Sequence, residues 1–517
     1  MIEFDAAFRA FTDHEPFPWQ RELYRCFRDG DIPPVCDVPT GLGKTSVIPV
    51  WLIALANHGS AVPRRLGYVV NRRTVVDQAT DEAEQLLRRL LGPEDNASRP
   101  EDVGPLRELA EALRGLTLFP DDSGYAPLAV STLRGQRADN GEWYRDPVRP
   151  AVIVGTVDMI GSRLLFRGYR AGFKTRPLFA GFLGQDALIV HDEAHLEPAF
   201  QDLLVAIGEE QDRCGDLLRL AVMELSATAR RGFGLRLSDQ DRARPEVRKR
   251  LRAAKAIRLH AEDDPKKLAD RLAELALAHK GKPVNVLVFA RSVEVVEKVA
   301  DILRKAKQEV RPLTGTMRGK ERDELTETTH FQRFLPGAAP GDQVAFLVCT
   351  SAGEVGVNIS ADHLVCDLST FESMAQRLGR VNRFGDRADT RVDVVHPTKF
   401  DGDDNLDLAR RKTLGLLVQL GGDGSPDSLG RLDVTARHDA FSPRPDTVPT
   451  TDILFDAWSL TTLRDTLPGR PPVEPYLHGR SEFEPPETYV AWRQEVGTIT
   501  GPLLDRYHPE ALLEDYP

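Results

Sequence analysis

Three short stretches carry residue types whose spacing supports chemistry. The first is Asp37 to Ser46, DVPTGLGKTS, set between the apolar runs PVCDV and SVIPVWLIALA. A glycine-rich turn joining a strand to a helix is the setting of a phosphate-binding loop. Gly41 and Gly43 allow a tight turn that aims backbone N–H groups at phosphate oxygens, and the helix N-terminus that follows adds favourable potential. In that arrangement Lys44 reaches the β- and γ-phosphates and the Thr45 hydroxyl holds Mg²⁺. Pro39, Thr40, Leu42 and Ser46 complete the candidate loop, in which Val38 stands where such loops usually begin with glycine.

The second stretch is HDEAH, His191 to His195, at the end of the apolar run ALIV. Asp192 is placed to hold Mg²⁺ through water, since that ion prefers to keep several of its waters. Glu193 is the candidate general base for a water attacking the terminal phosphate. The third stretch is QRLGRVNR. On a helix, Gln376, Arg380 and Arg383 fall at i, i+4 and i+7 and share a face. Arg380 and Arg383 are read as the cations that meet the terminal phosphate, an effect on the order of 10³–10⁵ in rate, with Gln376 orienting water or phosphate. Taken singly, the three stretches are also a chance turn, a helix cap and a salt-bridged surface helix. Together they describe ATP with Mg²⁺ as cofactors. Lys44 and Arg380 belong to different lobes, so hydrolysis requires those lobes to close.

The elements that must position these groups repeat strand, loop and helix twice. Strand candidates PVCDV, LGYVV, AVIVGT, ALIVHDE and LAVMELSAT define a first lobe over 1–232, and VNVLVFA, VRPLTG, QVAFLVCT, HLVCDL and RVDVVHP a second over 281–399. Short apolar runs followed by polar loops and longer helices predict parallel sheets covered on both faces, an α/β fold of two tandem doubly wound lobes. LGPEDNASRPEDVGP reads as an exposed insertion. The connecting segment, 233–280, contains RARPEVRKRLRAAKAIRLH, whose arginines either face nucleic acid or solvate a tether; the tether is the reading taken. Residues 400–517, rich in proline, read as an accessory C-terminal region wrapped on the lobes.

At 517 residues, with 41% hydrophobic and 28% charged residues, the chain has the composition of a globular protein of several domains. A net charge of −11 argues against a uniformly basic coating protein but allows a locally basic groove. Five scattered cysteines without a CxxC pair point to thiols rather than a disulfide framework or zinc site. The absence of a signal pattern and of a long apolar run gives the expectation of a cytoplasmic protein with no membrane partner.

In order and spacing, PWQ, PTGLGKT, VNRRTVVDQ, GTVDM, HDEAH, SAT, TSAGEVGVNIS and QRLGRVNR resemble the motifs of a superfamily two helicase of the DExH type over roughly residues 15 to 390. That resemblance implies RecA-like lobes and places further roles. Gln20 looks like the adenine-reading glutamine. Gly353, Glu354 and Gly356 look like a sensor loop beside the nucleotide. Arg72, Arg73, Thr156 and Thr350 look like contacts to the nucleic-acid backbone, and Ser226 and Thr228 like the link from hydrolysis to strand movement. STLRGQRADNGEWYRDP, GTVDMIGSRLLFRGY, HDEAHLEPAFQDLL, MAQRLGRVNRFG and PPVEPYLHG with TYVAWRQEV are similar to the helicase portion of the type I CRISPR-associated helicase–nuclease, especially the subtype once called U. This implies 3′ to 5′ movement on single-stranded DNA after recruitment by a guide-RNA surveillance complex of the Cascade kind. The HD nuclease that works with such proteins is not found: the HD pairs are His191-Asp192, inside the second stretch, and His438-Asp439, in a Pro-flanked segment. It is expected as a separate chain or beyond residue 517. A DExH RNA helicase and a recruitment subunit with a decayed ATPase remain as alternatives.

Overall fold

A computed structural model describes residues 1–59, 61–71, 73–133, 140–168, 171–226, 234–338, 341–355, 358–462 and 471–480. Arg72, Thr228, Gly356 and the stretch TYVAWRQEV, all singled out above, lie outside them, as does the side chain of Arg73.

Two sheets organise the chain. The first takes strands β1 (Val35–Asp37), β2 (Arg65–Val70), β3 (Ala129–Leu133), β4 (Ala151–Thr156), β5 (Ala187–Asp192), β6 (Leu220–Ser226) and β7 (Leu235–Arg236) in the order β3-β4-β2-β5-β6-β1-β7. The second takes β8 (Ala256–Ala261), β9 (Asn285–Phe289), β10 (Glu309–Leu313), β11 (Ala345–Cys349), β12 (His363–Asp367) and β13 (Arg391–His396) in the order β10-β11-β9-β12-β13-β8. Every strand pairing described within the two sheets is parallel. Parallel strands are covered on both faces, which is why β2, β4 and β11 are buried at every position and read as continuous apolar runs. Separate apolar cores lie on the two faces of each sheet. The α/β expectation holds.

The strands with weak apolar runs escape sequence reading. β3 carries Ser131 and Thr132 in its middle, and the Ser131 hydroxyl donates to Asn140 Oδ1 at 2.5 Å. β8 lies within the segment expected to be a solvated tether, yet it pairs in register with β13 at the edge of the second sheet. Two short helices, Asp239–Ala243 and Pro245–Leu251, precede it. The insertion expected as exposed is also partly built in: Pro93 and Asp102 are buried, and the following helix Val103–Arg114 buries Leu106, Leu109 and Leu113. Its 3.6-residue apolar spacing sits just past the Pro- and Gly-rich letters that suggested a loop.

Chain 400–480 straps both lobes. The helix Asn405–Gln419 and the segment to Phe441 pack beside the second sheet, where Leu416, Leu432, Ala440 and Phe441 gather on Phe371. The chain then returns to the first lobe, where Trp458, Val473, Tyr476 and Leu477 join the core beneath β4 and β5. Trp458 is buried edge-on to Tyr476 at 4.9 Å. The strap ends at His478, whose Nε2 donates to Asp158 Oδ1 at 2.7 Å and Nδ1 to Glu197 Oε2 at 3.1 Å. Asn71 Nδ2 donates to the other Glu197 oxygen. The hydrogen bonds it gives to Asp158 and Glu197 push the imidazole up to about 10.

A folded value above the ordinary 6.5 means that this attachment stabilises fully below about pH 6.5 and is lost as pH rises through about 10. Limited proteolysis of the strap should therefore run faster at pH 10 than at pH 7 in the parent chain, and His478→Ala should be cut at the faster rate at both. Equal parental rates at the two pH values would show that the ion pairs do not hold the strap.

Candidate nucleotide site between the lobes

The residues singled out for chemistry sit at the carboxyl ends of strands, where an α/β sheet opens a crevice. β1 delivers the loop through Gly41 (φ 87°) and Gly43 (φ 77°), both in the left-handed region that only glycine enters at little cost. Lys44–Ser46 form a single 3₁₀ turn before the apolar helix Val47–His58, buried from Val47 to Leu55. The loop is braced at its end: Ser46 Oγ donates to the Gly43 carbonyl at 2.6 Å and accepts from Gln20 Nε2 at 2.7 Å. Gln20 Oε1 accepts from the Phe17 amide at 2.7 Å. One end of the Gln20 amide thus braces the phosphate loop and the other caps its own helix.

β5 ends in Asp192 and then turns abruptly. Glu193 adopts φ 52° and ψ 45°, a left-handed conformation costing a residue with a Cβ about 1–2 kcal/mol. Its amide donates to the Leu225 carbonyl at 2.8 Å, which holds the turn against the neighbouring strand. The turn carries the carboxylate onto the loop: Oε1 accepts from Lys44 Nζ at 2.7 Å. From the other lobe, Gln376 Nε2 donates to Oε2 at 3.0 Å. His195 Nδ1 stands 3.4 Å from Oε2 and 3.4 Å from Ser226 Oγ, so the serine at the end of β6 reaches Glu193 through one imidazole. Burial alone would raise the Glu193 carboxyl, but Lys44, with His195 and Arg380 adding, holds it below its ordinary value. Asp192 is pushed up to about 6, first by burial and then by the Glu193 charge, against the pull of Lys44. Its Oδ2 accepts from Tyr68 at 2.8 Å, while buried Oδ1 has no partner among the described residues.

That open acceptor beside Lys44 fits the chemistry of Mg²⁺, which takes oxygen ligands and retains water. Asp192 and Thr45 are the residues that would hold it. Glu82, which sequence reading passed over, hydrogen-bonds the Thr45 hydroxyl; desolvation, with Asp192 adding, pushes its carboxyl up to about 7.

The third stretch is not the continuous helix its spacing suggested. The helix Phe371–Leu378 ends before Gly379, and Asn382 takes φ 44°. Only Gln376 stands on the helix; Arg380 and Arg383 lie on the turn after it. The turn is pinned by Asn382, whose Nδ2 donates to the carbonyls of Ala254 and Arg387. It is this turn that brings the arginines to the cleft. A Cβ at Gly379 would lie 2.7 Å from Thr40 Oγ1, so the lobes approach too closely there for any side chain. Arg383 lies over the phosphate loop, its Nε and Cγ 3.2 and 3.3 Å from where a Gly41 Cβ would stand. Its Nη1 donates to Asn358 Oδ1 at 2.5 Å, and its buried Nε has no partner among the described residues. Arg380 Nε donates to the Glu354 carbonyl at 2.8 Å.

The remaining residues fall in two groups. Glu354 faces away from the loop: with Asp367 it clamps buried Arg377, at 2.8 and 3.1 Å, and it accepts from Ser373. Gly353 packs on Cys349 and Phe289, where a Cβ would come within 2.9 Å of the sulfur. The hydroxyls of Thr156 and Thr350 cap the turns that follow β4 and β11, accepting from the Met159 and Ala352 amides.

Residues 267–385 match the helicase conserved C-terminal domain. No curated protein matches the sequence. Among solved structures, T. fusca Cas3 aligns with a TM-score of 0.59 at 17% identity, over 87% of this chain and 55% of that one. T. fusca Cas3 with ATP aligns at 0.57 and 18% identity, over 88% and 56%. T. fusca Cas3 with AMPPNP aligns at 0.54 and 17% identity, over 83% and 55%. This chain spans a little over half the length of those proteins. The two lobes share the fold of those proteins, and this chain resembles the helicase portion of Cas3. No described helix is long and apolar enough to cross a membrane.

Arg377 and Arg380 are three residues apart but differ in surroundings. Removing one partner of a buried ion pair costs about 3–5 kcal/mol, because the others remain charged and unpaired. Arg377→Ala should therefore lower the unfolding midpoint sharply, whereas Arg380→Ala should leave it near the parent value and reduce nucleotide turnover. Similar midpoints for the two variants would contradict the triad's structural role.

Proposed function

From a fold shared with the DExH helicases of superfamily two, we propose that the chain hydrolyses ATP to move along single-stranded DNA and unwind duplex. One observation carries this reading: Glu193 is held at once by Lys44 of the first lobe and Gln376 of the second. A base whose position depends on both lobes ties hydrolysis to their closure, which is what converts turnover into movement. In the reaction Lys44 grips the β- and γ-phosphates, Glu193 takes the proton of the attacking water, and Gln376 orients that water. Arg383, with Arg380 beside it, meets the charge that grows on the terminal phosphate. Asp192 and Thr45 would hold Mg²⁺, which when bound would add positive charge against the phosphates.

The finer assignments are ours as well. The likeness to T. fusca Cas3, with the motifs set out above, supports a role in type I CRISPR interference, with 3′ to 5′ movement and recruitment by a Cascade-like complex. Arg72, Arg73, Thr156 and Thr350, at the carboxyl ends of β2, β4 and β11, are assigned to the DNA backbone, and Ser226 with Thr228 to coupling. Gln20 is assigned to reading adenine, and Gly353, Glu354 and Gly356 to a sensor loop beside the nucleotide, where the Glu354 carbonyl holds Arg380. Among the described residues, no cluster of three or more His, Cys, Asp and Glu side chains stands ready to hold a metal ion as a nuclease site would. We assign strand cutting to an HD nuclease outside the described residues.

Steady-state ATP hydrolysis, measured with single-stranded DNA, duplex DNA and RNA, separates the alternatives. Single-stranded DNA should stimulate most; stronger stimulation by RNA would make the chain an RNA helicase. Lys44→Ala should abolish turnover. Glu193→Gln should retain ATP but slow hydrolysis by about 10²–10⁴, the usual contribution of a general base. Parent-like turnover in both variants would remove the site from the reaction.

A further inference from the structure

The arginine-rich connector is not a free tether. Its helix Pro245–Leu251 leans on the turn that bears Arg383. Gly385, at φ 71°, is the point of closest approach, since a Cβ there would run into the Lys249 carbonyl. Lys249 Nζ pairs with Asp386 Oδ1 at 2.5 Å. Lys255, further along the connector, donates to the Leu378 carbonyl at 2.8 Å, closing the end of the helix that carries Gln376. These contacts all belong to the second lobe. Val247 and Leu251 of the connector helix join the first-lobe core, and Arg250 carries the connector onto the site itself: its Nη1 donates to the carbonyl oxygen of Gly41, in the glycine turn of the first lobe. The same guanidinium lies 5.3 Å from the centre of the Phe384 ring, next in sequence to Arg383.

Arg250 and Arg383 thus meet over one glycine, from two segments of chain. Gly41 must be glycine both for its φ of 87° and because Arg383 occupies the place of a side chain. Like charges brought this close oppose one another unless an anion lies between them. Burial first, then Arg380 and Arg250, push the Arg383 guanidinium down to about 9. Burial first, then Arg383, push the Lys255 ammonium down to about 7.

We propose that Arg250 is a positioning residue for ATP hydrolysis, fastening the glycine turn of the first lobe to the Arg383 turn of the second. This rests on the helicase reading above. The connector joins the lobes in sequence and touches both sides of the site, so its register decides whether Arg383 stands over the terminal phosphate. Arg250 grips the loop by its backbone carbonyl, a contact that leaves the amides free for phosphate. Its loss displaces Arg383 without emptying the nucleotide pocket. A displacement of about 1 Å in such a group costs on the order of a hundredfold in rate.

The test uses the full chain, saturated with single-stranded DNA, and compares the parent with Arg250→Ala and Arg250→Lys. Arg250→Ala should lower kcat for ATP hydrolysis by about tenfold to a hundredfold while KM for ATP moves less than about threefold. Its unfolding midpoint should match the parent. Arg250→Lys should recover part of the rate, since an ammonium can still donate to the Gly41 carbonyl and rest on an aromatic face. An unchanged kcat in Arg250→Ala, a raised KM with kcat intact, or a loss that follows the unfolding midpoint would overturn the proposal. Absence of hydrolysis in the parent itself would remove the helicase reading and this inference together. A hydrolysing parent matched by Arg250→Ala removes this inference alone.

Discussion

A carboxylate shared between two lobes is an uncommon thing to bury, and the rest of the cleft is arranged around it. Glu193 remains charged in a desolvated place because Lys44 stands 2.7 Å from one oxygen, and its other oxygen is taken by Gln376 from across the gap. Buried charge is tolerated only when paired and hydrogen-bonded. The pairing therefore imposes demands on both sheets. β5 must end in a left-handed turn to swing the carboxylate over the phosphate loop, and the second lobe must present a glutamine at that distance. Asp192, one residue earlier, stays on the strand line, takes the Tyr68 hydroxyl and keeps an acceptor open. Two adjacent acids thus acquire different duties from a single backbone turn.

Holding two lobes in that relation requires more than the pairing itself. The connector is fastened to the second lobe by Lys249, Lys255 and the carbonyl of Ala254, and to the first by Asp241, Val247, Leu251 and Arg250. On another face, the strap from Asn405 to Arg480 begins against Phe371 and ends against β4 and β5. A lobe pair linked in this way has limited freedom to slide, so opening and closing reduce to a hinge. Buried Arg377, clamped by Glu354 and Asp367, sets the base of the turn that carries Arg380 and Arg383. Residues that never touch nucleotide therefore determine where the cations stand.

Much of this was legible beforehand, and the reasons are specific. Continuous apolar strands such as AVIVGT and AFLVC announce a parallel sheet because both their faces are buried. Glycines flanking Lys44 announce a phosphate loop because few other backbones can turn that way. By contrast, β3 carries polar residues in mid-strand, and β8 offers only the brief alternation of Ile257 and Leu259 with Arg258 and His260 inside an arginine-rich run. The insertion after Leu91 was read from its prolines and glycine, although the helix just beyond it buries a leucine face. Helical spacing grouped Gln376, Arg380 and Arg383 on one helix face but assigned the wrong backbone, since Gly379 and Asn382 end the helix between them. Arg250 was one of many arginines in a charged segment, with nothing local to set it apart.

What the sequence alone determined is chemistry carried by neighbours along the chain: the glycine loop, the acidic pair after a strand, and the α/β alternation that places loops at one edge of each sheet. Such features depend on backbone freedom and periodicity, which are local properties. Tertiary structure alone decided which distant groups share an atom's surroundings: Gln376 with Glu193, Arg250 with Gly41, Glu354 with Arg377 rather than with the loop. Those choices follow from packing two lobes, a connector and a strap against one another, and no span of neighbouring residues contains that information.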